Sequence, residues 1–154
     1  MGIEIVFDQI KSIPDCIIYP PTGVPIIEAN HILPQDLMRF YVLCGGMDLY
    51  RNADYAVQIL SPEKVKRANP IIIGSVMDLP INGIEKGHFL ENWYVIAHDF
   101  NGDYLSIDLN PVNNGVCYDS HHELHPGNSP VIANSFTELL GNLVLNQGKR
   151  FYWL

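Results

Sequence analysis

NWYVIAHDF (92–100) and DYLSIDL (103–109) are two β-rich runs joined by Asn101-Gly102. Asn-Gly between runs of this kind is the strongest short hairpin signal a sequence carries. In the second arm Leu105, Ile107 and Leu109 alternate with Tyr104, Ser106 and Asp108, so the two sets point to opposite faces of a sheet. The stretch also raises a chemical question. Asp99, Asp103 and Asp108 lie in it with no lysine or arginine among them. They are metal ligands, catalytic acids, turn punctuation or a charged surface for another molecule.

Working outward from the hairpin, GVCYDS (115–120) reads as a further strand. SPVIANSFTELLGNLVLNQG (129–148) gives a short strand and then a helix. Asn134 or Ser135 caps that helix, Glu138 lies near its start and Gly148 stops it. Phe136, Leu139, Leu140 and Leu143 form its apolar stripe. On the other side, AVQIL (56–60) is a candidate strand, and SPEKV (61–65) is a single turn with Ser61 as cap and Pro62 at its first position. NPIIIGSV (69–76) reads as a buried apolar strand.

LPQDLMRFYVLCGG (33–46) is the clearest helix. Pro34 suits its first turn, and Asp36 meets the positive end of the helix dipole. Leu37, Phe40, Tyr41 and Cys44 recur every three or four residues, and Gly45-Gly46 supplies a left-handed stop. VFDQIKSI (6–13) is a short helix ended by Pro14, and CIIYPPTGVPII (16–27) is an extended connector. The order is helix, helix, a run of strands, helix. It predicts an α+β fold with a mostly antiparallel sheet of about five or six strands and helices on one side. The 154 residues fit one domain spanning 1–154.

Composition narrows the function classes. Hydrophobic residues make up 47% and charged residues 17% of the chain, which excludes disorder. Cys16, Cys44 and Cys117 are odd in number and widely spaced, which fits a reducing compartment better than a disulfide framework. MGIEIVFDQI (1–10) lacks the basic start of a signal peptide, and no apolar run is long enough to cross a membrane. A cytoplasmic protein with no membrane contact is the expectation. Net charge is −8, and from Gly87 to Gly148 seven acids occur with no lysine or arginine. That span disfavours direct binding to nucleic acid and favours a basic partner, with a merely solvated acidic face as the bland alternative.

The chemical motifs are weak. Asp99–Asp103 resembles the front of a calcium loop only faintly: the glycine is two positions early, and Asn110 stands where the closing glutamate belongs. DSHHELH (119–125) offers Asp119, His121, His122, Glu123 and His125, which are suitable zinc ligand types, but without the spacing or helical frame of a known zinc motif. A metal-dependent hydrolase using Asp119, His121, His122 and His125 is one alternative. Cys44 and Cys117 read as core residues rather than nucleophiles. Neither a G-x-S-x-G elbow nor a glycine-rich phosphate loop occurs, and no cofactor is implied.

LPQDLMRFYVLCGGMDLY (33–50), ILSPEKV (59–65), WYVIAHDFNGDYLSIDLNP (93–111), CYDSHHE (117–123) and VIANSFTELL (131–140) together resemble the SUKH superfamily, specifically its Smi/Knr branch. The likeness implies an α+β fold without a known catalytic centre. It further implies a non-enzymatic binding role: in bacteria an immunity protein that neutralises a cognate toxin, often a nuclease or deaminase, and in fungi a regulatory scaffold. A scaffold without a toxin partner is therefore a second alternative. The expected partner surface combines the acids Asp48, Asp99, Asp103, Asp108, Asp119 and Glu123 with Asn101, and uses Trp93, Tyr104 and Tyr118 as aromatic anchors.

Overall fold

A computed structural model describes residues 2–76, 92–121, 125 and 128–154, with the side chains of 73–76 excepted. Its elements are helix α1 (Ile3–Lys11), strand β1 (Ile17–Ile18), helix α2 (Gln35–Leu43), strands β2 (Met47–Leu49) and β3 (Val57–Ile59), and helix α3 (Ala68–Val76). Strands β4 (Trp93–His98), β5 (Tyr104–Asp108), β6 (Cys117–Ser120) and β7 (Val131–Ala133) follow, and helix α4 (Phe136–Asn146) comes last. A single 3-10 turn at Pro62–Lys64 separates β3 from α3. The seven strands form one antiparallel meander in chain order. The α+β class holds, with the sheet longer than the expected five or six strands because β1 and β2, neither of them expected, both join its edge.

Cross-strand pairing assigns each residue to a face. Ile18, Met47, Ile59, Ala97 and Leu105 lie in one row across the sheet. Ile107 pairs with Cys117, which pairs with Ala133. This apolar face shares one core with the buried stripes of α1, α2 and α4: Val6 and Ile10, Leu37 and Phe40, Leu139 and Leu140. The Phe40 and Phe136 rings meet edge-on at 4.8 Å, tying α2 to α4. One carboxylate locks the two helix starts together: Asp36 accepts from the Thr137 backbone N–H at 2.9 Å and from its hydroxyl at 2.8 Å. An acid at two helix N-termini is stabilised by both sets of exposed amides. Ser135 caps α4 by accepting from the Glu138 N–H, and Gln147 and Gly148 end it with positive φ.

The opposite face carries Trp93, Val95, Ser106, Asp108, Tyr118 and Ser120. It is covered as well. Val95, Ser106 and Ser120 are fully buried, and Asn69 at the start of α3 reaches this face through His125. The strand expected at 69–76 is thus a helix. Its run of isoleucines is apolar all round, so no periodicity separates the two states. Pro70 sits in the first turn, where a missing N–H is tolerated.

Gly45 and Gly46 do not stop α2 by a left-handed cap. Cys44 is already extended there, at φ −156°. The glycines allow backbones to meet instead: a Cβ on Gly45 would lie 2.3 Å from the Pro20 carbonyl oxygen, and one on Gly46 2.7 Å from that of Ile59. Gly46 also has a φ of +111°, which side chains rarely adopt. This contact places the connector against the sheet edge, where the Tyr19 N–H donates to the Gly46 carbonyl and the Tyr19 carbonyl accepts from the Gly45 N–H.

Candidate functional site

The β4–β5 hairpin forms, but the reversal is longer than Asn101-Gly102 alone. The strands end at His98 and restart at Tyr104. Asp99 organises the intervening loop: its Oδ1 accepts from the backbone N–H groups of Asn101 at 2.8 Å and Asp103 at 3.0 Å. Phe100 and Gly102 take the positive φ values, 65° and 95°. An aspartate that gathers backbone amides in this way is turn punctuation. Its Oδ2 remains without a partner among the described residues.

At this end of the sheet the apolar face turns polar. Asp103 lies across from His121, whose Nε2 is 3.0 Å from its Oδ2. Asp119 pairs with Leu105 on the same face. Its Oδ1 accepts from the His121 backbone N–H at 3.1 Å, and its Oδ2 accepts from the Trp153 indole N–H at 2.8 Å. Trp153 belongs to FYWL (151–154), which folds back over the sheet. Its ring stacks on Phe151 with centroids 5.0 Å apart and planes 10° apart, and Tyr55 meets Phe151 edge-on. The Tyr152 hydroxyl donates to the Ile132 carbonyl and anchors the segment to β7.

These groups enclose a cavity of about 360 Å3. Asp99, Asp103, Asp119 and His121 line its polar side; Tyr55, Phe151 and Trp153 line its aromatic side. Among the described residues, no lysine or arginine lines it. A larger groove of about 800 Å3 runs between residues 22–28 and 62–71. Of the expected partner-binding residues that the structure describes, none lines that groove, whereas Asp99, Asp103, Tyr104 and Asp119 all line the smaller cavity.

The remaining expected residues lie elsewhere. Asp108 was expected on an exposed surface but is 1% exposed. Its Oδ1 accepts from the Asn110 N–H to form a turn, and burial pushes its carboxyl above the ordinary value, partly offset by that bond and the nearby Trp93. The Trp93 indole N–H is buried, and no acceptor meets hydrogen-bond geometry there. Trp93 is 4% exposed and stacks on Tyr118 at 3.9 Å, so it is a packing residue of the covered face rather than a free anchor. Asp48 is buried too, held by Tyr19, Gln58 and Arg51. Asp103 and Asp119 are each only 8% exposed, reached through the cavity rather than from the open surface. Asn101 is exposed, and Tyr104 and Tyr118 are half-buried. Glu123 and His122 lie outside the described residues.

The groups considered as zinc ligands are split by the sheet. Asp119 and His121 face the cavity, while His125 lies on the other side against Ser120, Asn69 and Trp93. Alternation along β6 causes the separation. Among the described residues, no three His, Cys, Asp or Glu side chains converge as metal ligands do. All three cysteines are free thiols, and burial pushes Cys44 up to about 11 and Cys117 higher still, so neither offers a thiolate at neutral pH. Among the described residues no helix is long and apolar enough to cross a membrane.

Sequence reasoning missed Tyr55, Phe151 and Trp153. The density of aromatic residues at 151–153 was the available signal, but periodicity has no purchase on a four-residue segment. Two comparisons bear on this geometry. The chain is 41% identical to a protein of Bacillus subtilis (strain 168) named immunity protein YokJ, with all of this chain and 90% of the relative covered. The SMI1 / KNR4 family (SUKH-1) model matches residues 28–142, a range that holds α2, the whole β2–β7 meander and the acidic side of the cavity. On both grounds, the chain belongs to the SMI1 / KNR4 family (SUKH-1).

Proposed function

We propose that this chain is an immunity protein, a non-catalytic binder that neutralises a cognate protein toxin inside the cell that makes it. The observation that carries this reading is its full-length likeness to a protein named for immunity. The charge pattern supports the form of the interaction. Seven acids and no lysine or arginine between Gly87 and Gly148 create a field that speeds the approach of a basic partner and fixes its orientation. A nuclease domain, whose phosphate-binding cleft must be basic, is the partner class that fits. The acid-lined cavity at the hairpin end is the contact region, with Asp99 and Tyr104 lining it and Asn101 exposed in the adjoining turn.

Co-expression tests the reading. The chain should restore growth to cells making the toxin encoded beside it, and the two proteins should copurify. Failure to rescue from any neighbouring toxin, with stable expression of the chain, would reject it.

A further inference from the structure

We propose that the cavity between the β4–β5 turn and residues 151–154 seats one arginine side chain of the partner. The inference rests on the immunity reading for the identity of the partner, but the chemistry of the cavity argues for the occupant by itself. At about 360 Å3 the cavity is at the small end of the range for ligand pockets, which suits a side chain better than a nucleotide.

Its two walls match the two faces of a guanidinium. The Phe151–Trp153 pair presents stacked aromatic rings, 5.0 Å between centroids. A planar cation stacks on such a surface, where a compact ammonium is held only as a point charge. The opposite wall presents carboxylates with capacity to spare. Asp119 accepts two hydrogen bonds, one on each oxygen, out of about four that a carboxylate can accept. Asp99 keeps Oδ2 unused among the described residues. Both acids are already oriented, Asp119 by the Trp153 indole and Asp99 by two backbone amides. Pre-oriented acceptors lose little entropy on binding, and a forked donor meets them with two parallel bonds. The His121 Nε2 already occupies Asp103 Oδ2 at 3.0 Å, so Asp99 and Asp119 present the acceptor positions to the occupant.

Trp153 supplies the readout, and buried Trp93 on the far face is the internal control. The protein is titrated with blocked Gly-Arg-Gly, with its lysine and citrulline counterparts in parallel, while the two indole N–H signals are followed by NMR. The arginine peptide should move the Trp153 signal saturably, with Trp93 unmoved. Lysine should bind at least several-fold more weakly, and citrulline, which keeps the shape without the charge, should not saturate. Asp99→Asn retains the turn acceptor and should weaken the arginine peptide by roughly tenfold, the size of one lost charge-assisted contact. Asp119→Asn should do the same if it folds. Absence of saturation with arginine, or equal binding of lysine, would overturn the proposal. A chain that neutralises its toxin without binding the arginine peptide would lose this inference and keep the immunity reading. The reverse result would keep the inference and lose the immunity role.

Discussion

Lowering the pH from about 7 to about 5 should weaken the native state by about 2 kcal/mol through one side chain, His125. The imidazole is 7% exposed and lies edge-on to the Trp93 ring. Its Nε2 is 2.8 Å from Asn69 Oδ1, and its Nδ1 is 3.2 Å from the Ser120 hydroxyl. A neutral ring satisfies both partners, with Nε2–H donating to Asn69 and Nδ1 accepting from Ser120. Desolvation of the charged form lowers its pKa from 6.5 to about 4. The folded state therefore binds fewer protons than the unfolded state between those values. Stability rises with pH through this window, is complete above the unfolded value and is lost as pH falls toward the folded one. At about pH 5 the ratio of the two proton-binding polynomials is about 30, and RT times its logarithm is about 2 kcal/mol. Asp108 acts with the opposite sign, because burial raises its carboxyl above the ordinary value, so its contribution must be cancelled by comparison. Urea unfolding of the wild type and of His125→Gln across pH 5 to 7 provides that comparison. The wild type should lose about 2 kcal/mol more than the variant over the range. Parallel profiles, or an NMR titration of His125 near the ordinary value, would refute the argument.

Two further substitutions probe the sheet. The Ser106 hydroxyl is fully buried without a hydrogen-bond partner, so Ser106→Ala should be neutral or stabilise by up to about 1 kcal/mol in chemical denaturation; a loss of that size would mean the hydroxyl is satisfied after all. Gly46→Ala places a Cβ 2.7 Å from the Ile59 carbonyl at a φ of +111°. It should destabilise by about 1–3 kcal/mol, seen as a lower urea midpoint, and an unchanged midpoint would show that the backbone at Ile59 and Leu60 yields freely.

The legible parts of this fold were those set by local chemistry. The α4 stripe of Phe136, Leu139, Leu140 and Leu143 is buried as its spacing implies, and Ser135 caps it. The alternation of Leu105 and Ile107 with Tyr104 and Ser106 matches the observed faces. What alternation could not reveal was the covering of both faces. Asp108 reads as part of an acidic partner surface, yet α3 and His125 overlie that side of the sheet. The same long-range packing turned 68–76 into a helix despite its β-branched isoleucines, because intrinsic preference is weaker than tertiary contact. The candidate site was half legible. Asp99, Asp103 and Asp119 were visible as acids in a span without bases. The aromatic wall comes from residues 151–153, more than thirty positions from Asp119, and only the folded chain brings them together.

The central claim is that acids at the hairpin end draw in a basic partner, and calorimetric titration with the cognate toxin over a series of salt concentrations tests it most directly. Asp99→Lys should weaken binding at least tenfold at low salt and flatten the dependence on salt, since it reverses one charge at the accessible rim. An affinity and salt slope equal to those of the wild type would place the interface elsewhere on the molecule.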